Sequence, residues 1–583
     1  MTSKRIAHTF LFLFIILSLA LAGCVTTAQP TPVQTQPPAA QATEPPAAAP
    51  TQPPAPEATE PPAEPPAERS VITMIFTQEF DTLNPYYTNM WFSQITQSFY
   101  NCWAWEFDET ANPVPVLVNE LPSVDNGGIT EGGRVITLKL RDGMAWSDGT
   151  PLTADDFLFT YEMVINPANT VAQVSPYDQL ESVSASDPLT VVMTFKEPFA
   201  SWLGTIWRGL LPKHVLQPVF DAEGTLDNAA WNRAPTVGCG PFTFSEWESG
   251  SFARFVANDK YWRGVPKASE IFVRFVPDDA SQIAALKAGD GDLGTFFAYS
   301  DVPELEAAGI KVVKSFSGYN EGFYFFLNPE KAHPALLDLR VRHAIAYALN
   351  RQKLTEDLLL GLTVPAATLW DNTPYVDPSI SPYPYDPEKA KQLLDEAGWV
   401  DSDGDGVRDK DGVALQLTYG TTTREVRQDT QAVFQQELEA VGIKVDLQNF
   451  DPDIFFSGYG EGGPAATGEL GLSEYSNVVT GFPDPDSADF LCSEIPTDEN
   501  PAGVNWSAFC DEELNSLLLL QATQVDAKER TATFHKITKL IFDQVYWLGI
   551  WQDPDLFGVS DKLTNVRISG VTPFFNVYEW GFK

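Results

Sequence analysis

Apolar and polar positions alternate with period two over Arg134–Leu140. Ile136, Leu138 and Leu140 fall on one side and Thr137 and Lys139 on the other, which predicts a half-buried strand. The turn signal Arg141-Asp142-Gly143 closes it, and Thr153 with Asp156 three residues later forms a capping box for a helix carrying Phe157, Tyr161 and Val164. Helical spacing returns at Leu337, Val341, Ile345, Ala348 and Leu349. It returns again after Asp386, with Pro387 at the first helical position and Gly398 as the stop. A further amphipathic helix is expected over Arg424–Ala440, ending at Val441-Gly442 and followed at once by a strand over Ile443–Leu447. Helices that lead by short turns into strands predict sheets covered by helices, an α/β fold.

The pattern changes towards the amino terminus. Lys4 and Arg5 precede an apolar run, Phe10–Leu21, and Leu21-Ala22-Gly23-Cys24 is a small-residue cleavage site ending in cysteine. The run is short for a membrane span of about 20 residues, so residues 1–23 are expected to be a lipoprotein signal peptide and Cys24 the lipidated residue. Stable anchoring takes more than one acyl chain, and bacterial lipoproteins, which this terminus resembles, carry a diacylglyceryl group. Residues 24–69 hold a stretch almost wholly of Pro, Ala, Gln, Thr and Glu. Such a stretch cannot build a core and is expected to act as an extended tether. The globular sequence, 70–583, is long enough for two or three lobes.

Charge and cysteines narrow the partners. The formal net charge is −41, which repels phosphate backbones and makes nucleic acid a poor partner. Besides Cys24 there are Cys102, Cys239, Cys492 and Cys510, an even number for an oxidising compartment. Three pairings are open. Closeness in sequence favours Cys492 with Cys510, leaving Cys102 with Cys239, and buried thiols are the alternative.

Catalytic patterns are scarce along the chain. Gly289–Gly294 matches GxGxxG, but it follows a helix-like segment and leads into a strand, and Asp290 and Asp292 would repel a pyrophosphate. The five histidines stand singly, and there is no P-loop lysine, HExxH or GxSxG. A hydrolase using a pair of the many carboxylates remains an alternative class. Asp401, Asp403, Asp405, Gly406 and Asp409 fit positions 1, 3, 5, 6 and 9 of a calcium loop, but Gly412 occupies position 12, where a bidentate Glu belongs. The loop therefore admits a structural calcium ion or a polar hairpin whose Asp and Gly residues make turns. No cofactor is otherwise required.

Several segments together resemble the family 5 solute-binding proteins of ABC transporters, the peptide- and nickel-binding group. These are DTLNPYYTN, LKLRDGMAWSDGTPLTADDFLFTYE, GCGPFTFSEWESG with NDKYWRG, LLDLRVRHAIAYALNRQKL and YDPEKAKQLLDEAGW. The resemblance implies a two-lobed periplasmic-binding-protein-like fold of class II type, with hinge strands between the lobes and an extra subdomain. Lobe one is then expected at about 70–112, 235–318 and 550–583, the subdomain at about 113–234 and lobe two at about 319–549. It implies a monomeric, extracytoplasmic receptor, lipid-anchored here, that captures a solute and hands it to ABC permease subunits without chemistry. A sensor built on the same fold is another reading.

The resemblance also bears on the ligand. Peptide binders of this family place an aspartate in a segment shaped like D-Y-x-D-P, where it pairs with the peptide amino terminus. Gly481 stands in that place here, with Asp484 and Asp486 as candidate substitutes. By position in the resemblance, the cleft candidates are Asn101 and Trp103 in lobe one and Tyr319 and Asn320 at the crossover. Oligopeptide is the first expected ligand and oligosaccharide the second, since 15 Trp residues offer faces for sugar rings.

Overall fold

The computed structural model describes residues 70–477, 481–485 and 487–583. The signal peptide, Cys24, the tether, Thr480 and Asp486 lie outside the described residues. In chain order, the main strands are β1 (Val71–Phe76), β2 (Ile129–Thr130), β3 (Val135–Lys139), β4 (Leu180–Asp187), β5 (Thr190–Phe195), β6 (Phe242–Glu248) and β7 (Phe252–Ala257). They continue with β8 (Glu270–Phe275), β9 (Leu293–Thr295), β10 (Ile310–Phe325), β11 (Gln416–Thr422), β12 (Lys444–Phe450), β13 (Leu472–Ser476) and β14 (Trp547–Ser560). The helices used below are α1 (Trp91–Tyr100), α2 (Ala154–Ile165), α3 (Leu339–Ala348), α4 (Pro387–Glu396), α5 (Glu425–Glu439), α6 (Glu512–Thr523) and α7 (Ala527–Gln544).

The alternation at Arg134–Leu140 becomes β3, with Ile136 and Leu138 buried and Lys139 exposed. It belongs to a four-stranded sheet, β2-β3-β5-β4, backed by α2. The capping box of α2 forms as predicted: Thr153 accepts from the Asp155 amide, and Asp156 accepts from the Thr153 amide. One departure lies at Leu337. Asp338 accepts from the Arg340 amide and starts α3 afresh, so Leu337 belongs to a separate short turn and is exposed.

Ten strands form one sheet in the order β12-β11-β13-β10-β14-β9-β1-β8-β7-β6. Two long antiparallel strands at its centre, β10 and β14 with 16 and 14 residues, tie its halves together. Their pairing runs from Ile310↔Ser560 to Phe316↔Pro554, breaks, and resumes from Asn320↔Gln552 to Tyr324↔Trp547. The break leaves Ser317, Gly318 and Tyr319 as the irregular crossover.

The apolar core divides at this point. One buried cluster, with Ile72, Phe99, Trp207 and Val273, resumes after the hinge at Phe557 and Trp580. A second runs from Phe323 through Ile345, Leu394 and Phe434 to Trp551. These are the cores of two lobes with the hinge strands between them. The four-stranded sheet packs into the first. Cys102 is bonded to Cys239 and Cys492 to Cys510, each pair within one lobe.

Candidate functional site

Strand directions place the site. β9 and β1 run in the same sense as β10, so their carboxyl ends point from lobe one towards lobe two. β13 is antiparallel to β10, and β11 and β12 are parallel to β13, so theirs point back towards lobe one. In open α/β sheets, ligands gather outside the carboxyl ends of strands. Here the two sets converge on the crossover at Ser317–Tyr319.

The lobe-one wall starts at the end of α1. Asn101 is buried, and its carbonyl oxygen accepts from the amides of Cys102 (2.8 Å) and Leu210 (3.1 Å). It thereby fastens the α1 exit to the segment around Arg208. Its Nδ2 is buried without a hydrogen-bond partner among the described residues. Trp103 is half-buried, with the Arg208 guanidinium 5.5 Å from its ring centroid. Burial lowers the Arg208 pKa to about 10, against the charge of Asp484, and its Nη2 donates to the Phe482 carbonyl of lobe two at 2.5 Å.

The lobe-two wall turns on Asp484, which is buried and bound at both oxygens. Arg530 of α7 donates to Oδ2 at 2.5 Å and to Oδ1 at 2.8 Å. The Ser201 hydroxyl, from the four-stranded-sheet subdomain, donates to Oδ1 at 3.1 Å. Arg530 also reaches the Tyr375 hydroxyl at 2.8 Å and the Ala200 carbonyl at 3.4 Å. The Ala200 amide donates to the Ala522 carbonyl at the end of α6, at 3.1 Å. Asp484 is thus a tie between the lobes, and its carboxylate is already engaged by the protein.

At the crossover, Tyr319 and Asn320 part ways. Tyr319 is 43% exposed. Asn320 is fully buried, and its Nδ2 donates to the carbonyls of Gly318, Leu369 and Asp371 at 3.2, 2.9 and 3.3 Å. Gly318 has φ +89°, and a Cβ there would lie 2.3 Å from the Phe482 ring, so glycine is what lets lobe two approach the hinge.

Charged groups that no motif announced complete the floor. Glu321 is buried and held by Arg427 at 2.8 and 3.0 Å. Arg424, at the start of α5, pairs with Asp553 of β14 at 3.0 Å, and Tyr299 of lobe one donates to the same carboxylate at 2.7 Å. Buried Glu474 has its pKa pushed well up, first by burial and then by the charge of Glu321, and it accepts from the Tyr419 hydroxyl.

Elsewhere, Asp401, Asp403 and Asp405 bring carboxylate oxygens within 4.8 Å of one another on the surface. Asp409 stands apart, its carboxylate taken by the Ser402 amide and hydroxyl at 3.0 and 2.6 Å. A cavity of about 690 Å³ opens in lobe two beside Arg351, Asp371, Tyr383 and Gln552 and touches none of the sequence-predicted ligand residues. The helix–strand order around Gly289–Gly294 is as expected, α-helix Asp279–Ala288 followed by β9.

Comparisons place this geometry among known proteins. The family model described as bacterial extracellular solute-binding proteins, family 5 Middle, matches residues 112–488. The oligopeptide-binding protein AppA of Bacillus subtilis (strain 168) is 26% identical over 495 residues, 81% of this chain and 84% of the relative. The glutathione-binding protein GsiB of Shigella boydii serotype 4 is 25% identical over 521 residues, 86% of this chain and 91% of the relative. The solved structure of Bacillus subtilis AppA in complex with a nonapeptide matches with a TM-score of 0.61 at 23% identity, covering 89% of this chain and 100% of that one.

Proposed function

Because the chain belongs to the bacterial extracellular solute-binding proteins of family 5, the non-enzymatic substrate-binding components of ABC importers, we propose that its solute is an oligopeptide, enclosed between the lobes at the crossover and handed unchanged to a membrane permease. The observation that carries this reading is the hinge. Among the described residues, two long strands join the cores in the central sheet, their pairing breaks at Ser317–Tyr319, and the strand ends of both lobes converge on the break. Such an arrangement rotates two rigid bodies about a few residues. The Ser201–Asp484 and Arg208–Phe482 bonds join the lobes directly, and a ligand adds to the closed form only through contacts of its own that are made better there. The AppA and GsiB relatives, whose names specify oligopeptide and glutathione, support a peptide over a sugar.

The anchor belongs to this proposal: lipid on Cys24, a Pro-rich tether, and a monomeric receptor on the extracytoplasmic face. So does the calcium loop, where an ion would be structural only, held by Asp401, Asp403 and Asp405. Small-angle scattering with and without a pool of short peptides tests the binding. A smaller radius of gyration with peptide is expected; an unchanged curve at saturating peptide, or a change produced by maltooligosaccharides instead, overturns the peptide reading.

A further inference from the structure

A carboxylate at the crossover lacks the cation that its neighbours have. Asp553 and Asp555 lie two apart on β14 and share one face of the sheet. Asp553 is matched by Arg424 and Tyr299. No Lys, Arg or His among the described residues forms an ion pair with Asp555; the nearby Ser317 side chain opposes the effect of burial on its carboxyl without matching its charge. Directly across the ladder, Ser315 pairs in register with Asp555, which puts both side chains on the same face within contact distance. Ser315 is 5% exposed, and its hydroxyl oxygen has no hydrogen-bond partner among the described residues. A buried hydroxyl and a half-buried carboxylate thus stand at opposing positions on one face of the ladder, each with bonding capacity left over.

The surroundings suit a cation. Tyr319, exposed at the crossover, has its hydroxyl pKa pushed up by burial and then by the charges of Asp555 and Asp553. Phe557 is next along the same face, 6.3 Å from Trp91, which packs 4.4 Å from the exposed ring of Phe296. Carboxylate and aromatic faces together are what ammonium and guanidinium groups bind. Burial, with Asp553 adding to it and Ser317 opposing it, pushes the Asp555 pKa up to about 6, the mark of an anion short of compensation. The groups facing it are Asp553, Tyr319, Ser315 and Ser317, with Arg424 and Tyr299 already spent on Asp553.

We propose that Asp555, with Ser315 and the ring of Tyr319, receives a primary ammonium or guanidinium group of the ligand, so that this receptor selects cationic peptides. The proposal rests on the peptide reading above and gives that site its charge anchor, the role open to neither Gly481 nor the engaged Asp484. The ammonium belongs either to the peptide amino terminus or to a basic side chain, one chemistry from two sources.

Titration calorimetry on the full chain separates the outcomes. The probes are trialanine, N-acetyl-trialanine, N-acetyl-Ala-Lys-Ala and cadaverine. Trialanine, N-acetyl-Ala-Lys-Ala or both should bind wild type at pH 7.5 at least about tenfold more tightly than N-acetyl-trialanine, and whichever gains identifies the source. The advantage should shrink towards pH 5 as Asp555 takes a proton. It should vanish in Asp555→Asn and fall in Ser315→Ala, with N-acetyl-trialanine affinity kept within about twofold as the control for folding. Equal binding of charged and acetylated probes by wild type overturns the proposal and leaves the peptide reading standing. So does an advantage that survives Asp555→Asn. Asp555-dependent cadaverine binding without any peptide binding sinks the peptide reading and keeps the cation site; silence with every probe sinks both. Should Asp555→Asn not fold, the wild-type pH series decides, and a charge preference unchanged between pH 7.5 and pH 5 overturns the proposal.

Discussion

Asp484 and Arg530 show how much of this seam is carried by single side chains. Both are buried, and the guanidinium has Asp484, Gln521 and Tyr375 as partners. Asp484→Ala leaves that cation buried and unmatched, a loss of about 3–5 kcal/mol by analogy with other half-removed buried pairs. Urea unfolding should show it, and Arg530→Met combined with Asp484→Leu should recover part of it, because the charge is then gone from both sides. Asp555 behaves oppositely. Its pKa of about 6 lies above the ordinary aspartate value, so the folded state holds the proton more tightly than the unfolded chain does. Its charge therefore costs stability above pH 6, and the cost is relieved as pH falls through 6 towards 4. Asp555→Asn should raise unfolding stability at pH 8 by roughly 1–3 kcal/mol, and the gain should fade by pH 4. A variant no more stable than wild type at pH 8 contradicts this.

At the scale of elements, what was legible in the sequence was local. Thr153 and Asp156 sit three apart and cap α2, and Asp386-Pro387 starts α4, because both signals are complete within one turn. Thr153→Ala should cost about 1 kcal/mol, read by thermal melting. The apolar face predicted to begin at Leu337 failed for an equally local reason, the capping side chain of Asp338. The site was less legible. Trp103 and Tyr319 are cleft candidates by resemblance alone, whereas Arg208, Asp553 and Asp555 carry no sequence signal, because their partners lie hundreds of residues away and no spacing encodes them. Arg208 meets Phe482, 274 positions on, and Tyr299 meets Asp553, 254 positions on. The hinge adds a test of its own. In Gly318→Ala, a Cβ and a positive φ both oppose the close approach of Phe482, so scattering should report a more open average form and peptide affinity should fall about tenfold, near 1.4 kcal/mol. For the Asp401–Asp405 loop, calorimetry of chelated protein should register calcium binding; no heat at millimolar calcium removes the ion from the account.

Across the whole molecule, the charge agrees with the proposed receptor of cationic solutes. A net charge of −41 draws cations towards the protein, and the proposed site at Asp555 would give them a place to settle. Labelling of expressing cells with radioactive fatty acid should mark wild type and not Cys24→Ser; equal labelling would remove the anchor. The central claim is that two lobes enclose one peptide and return it intact. Native mass spectrometry of freshly prepared protein mixed with a defined peptide pool tests it most directly. The account predicts a complex carrying one peptide, which leaves on activation with its mass unaltered. Peptides released as fragments, or a protein that stays bare throughout the pool, would contradict it.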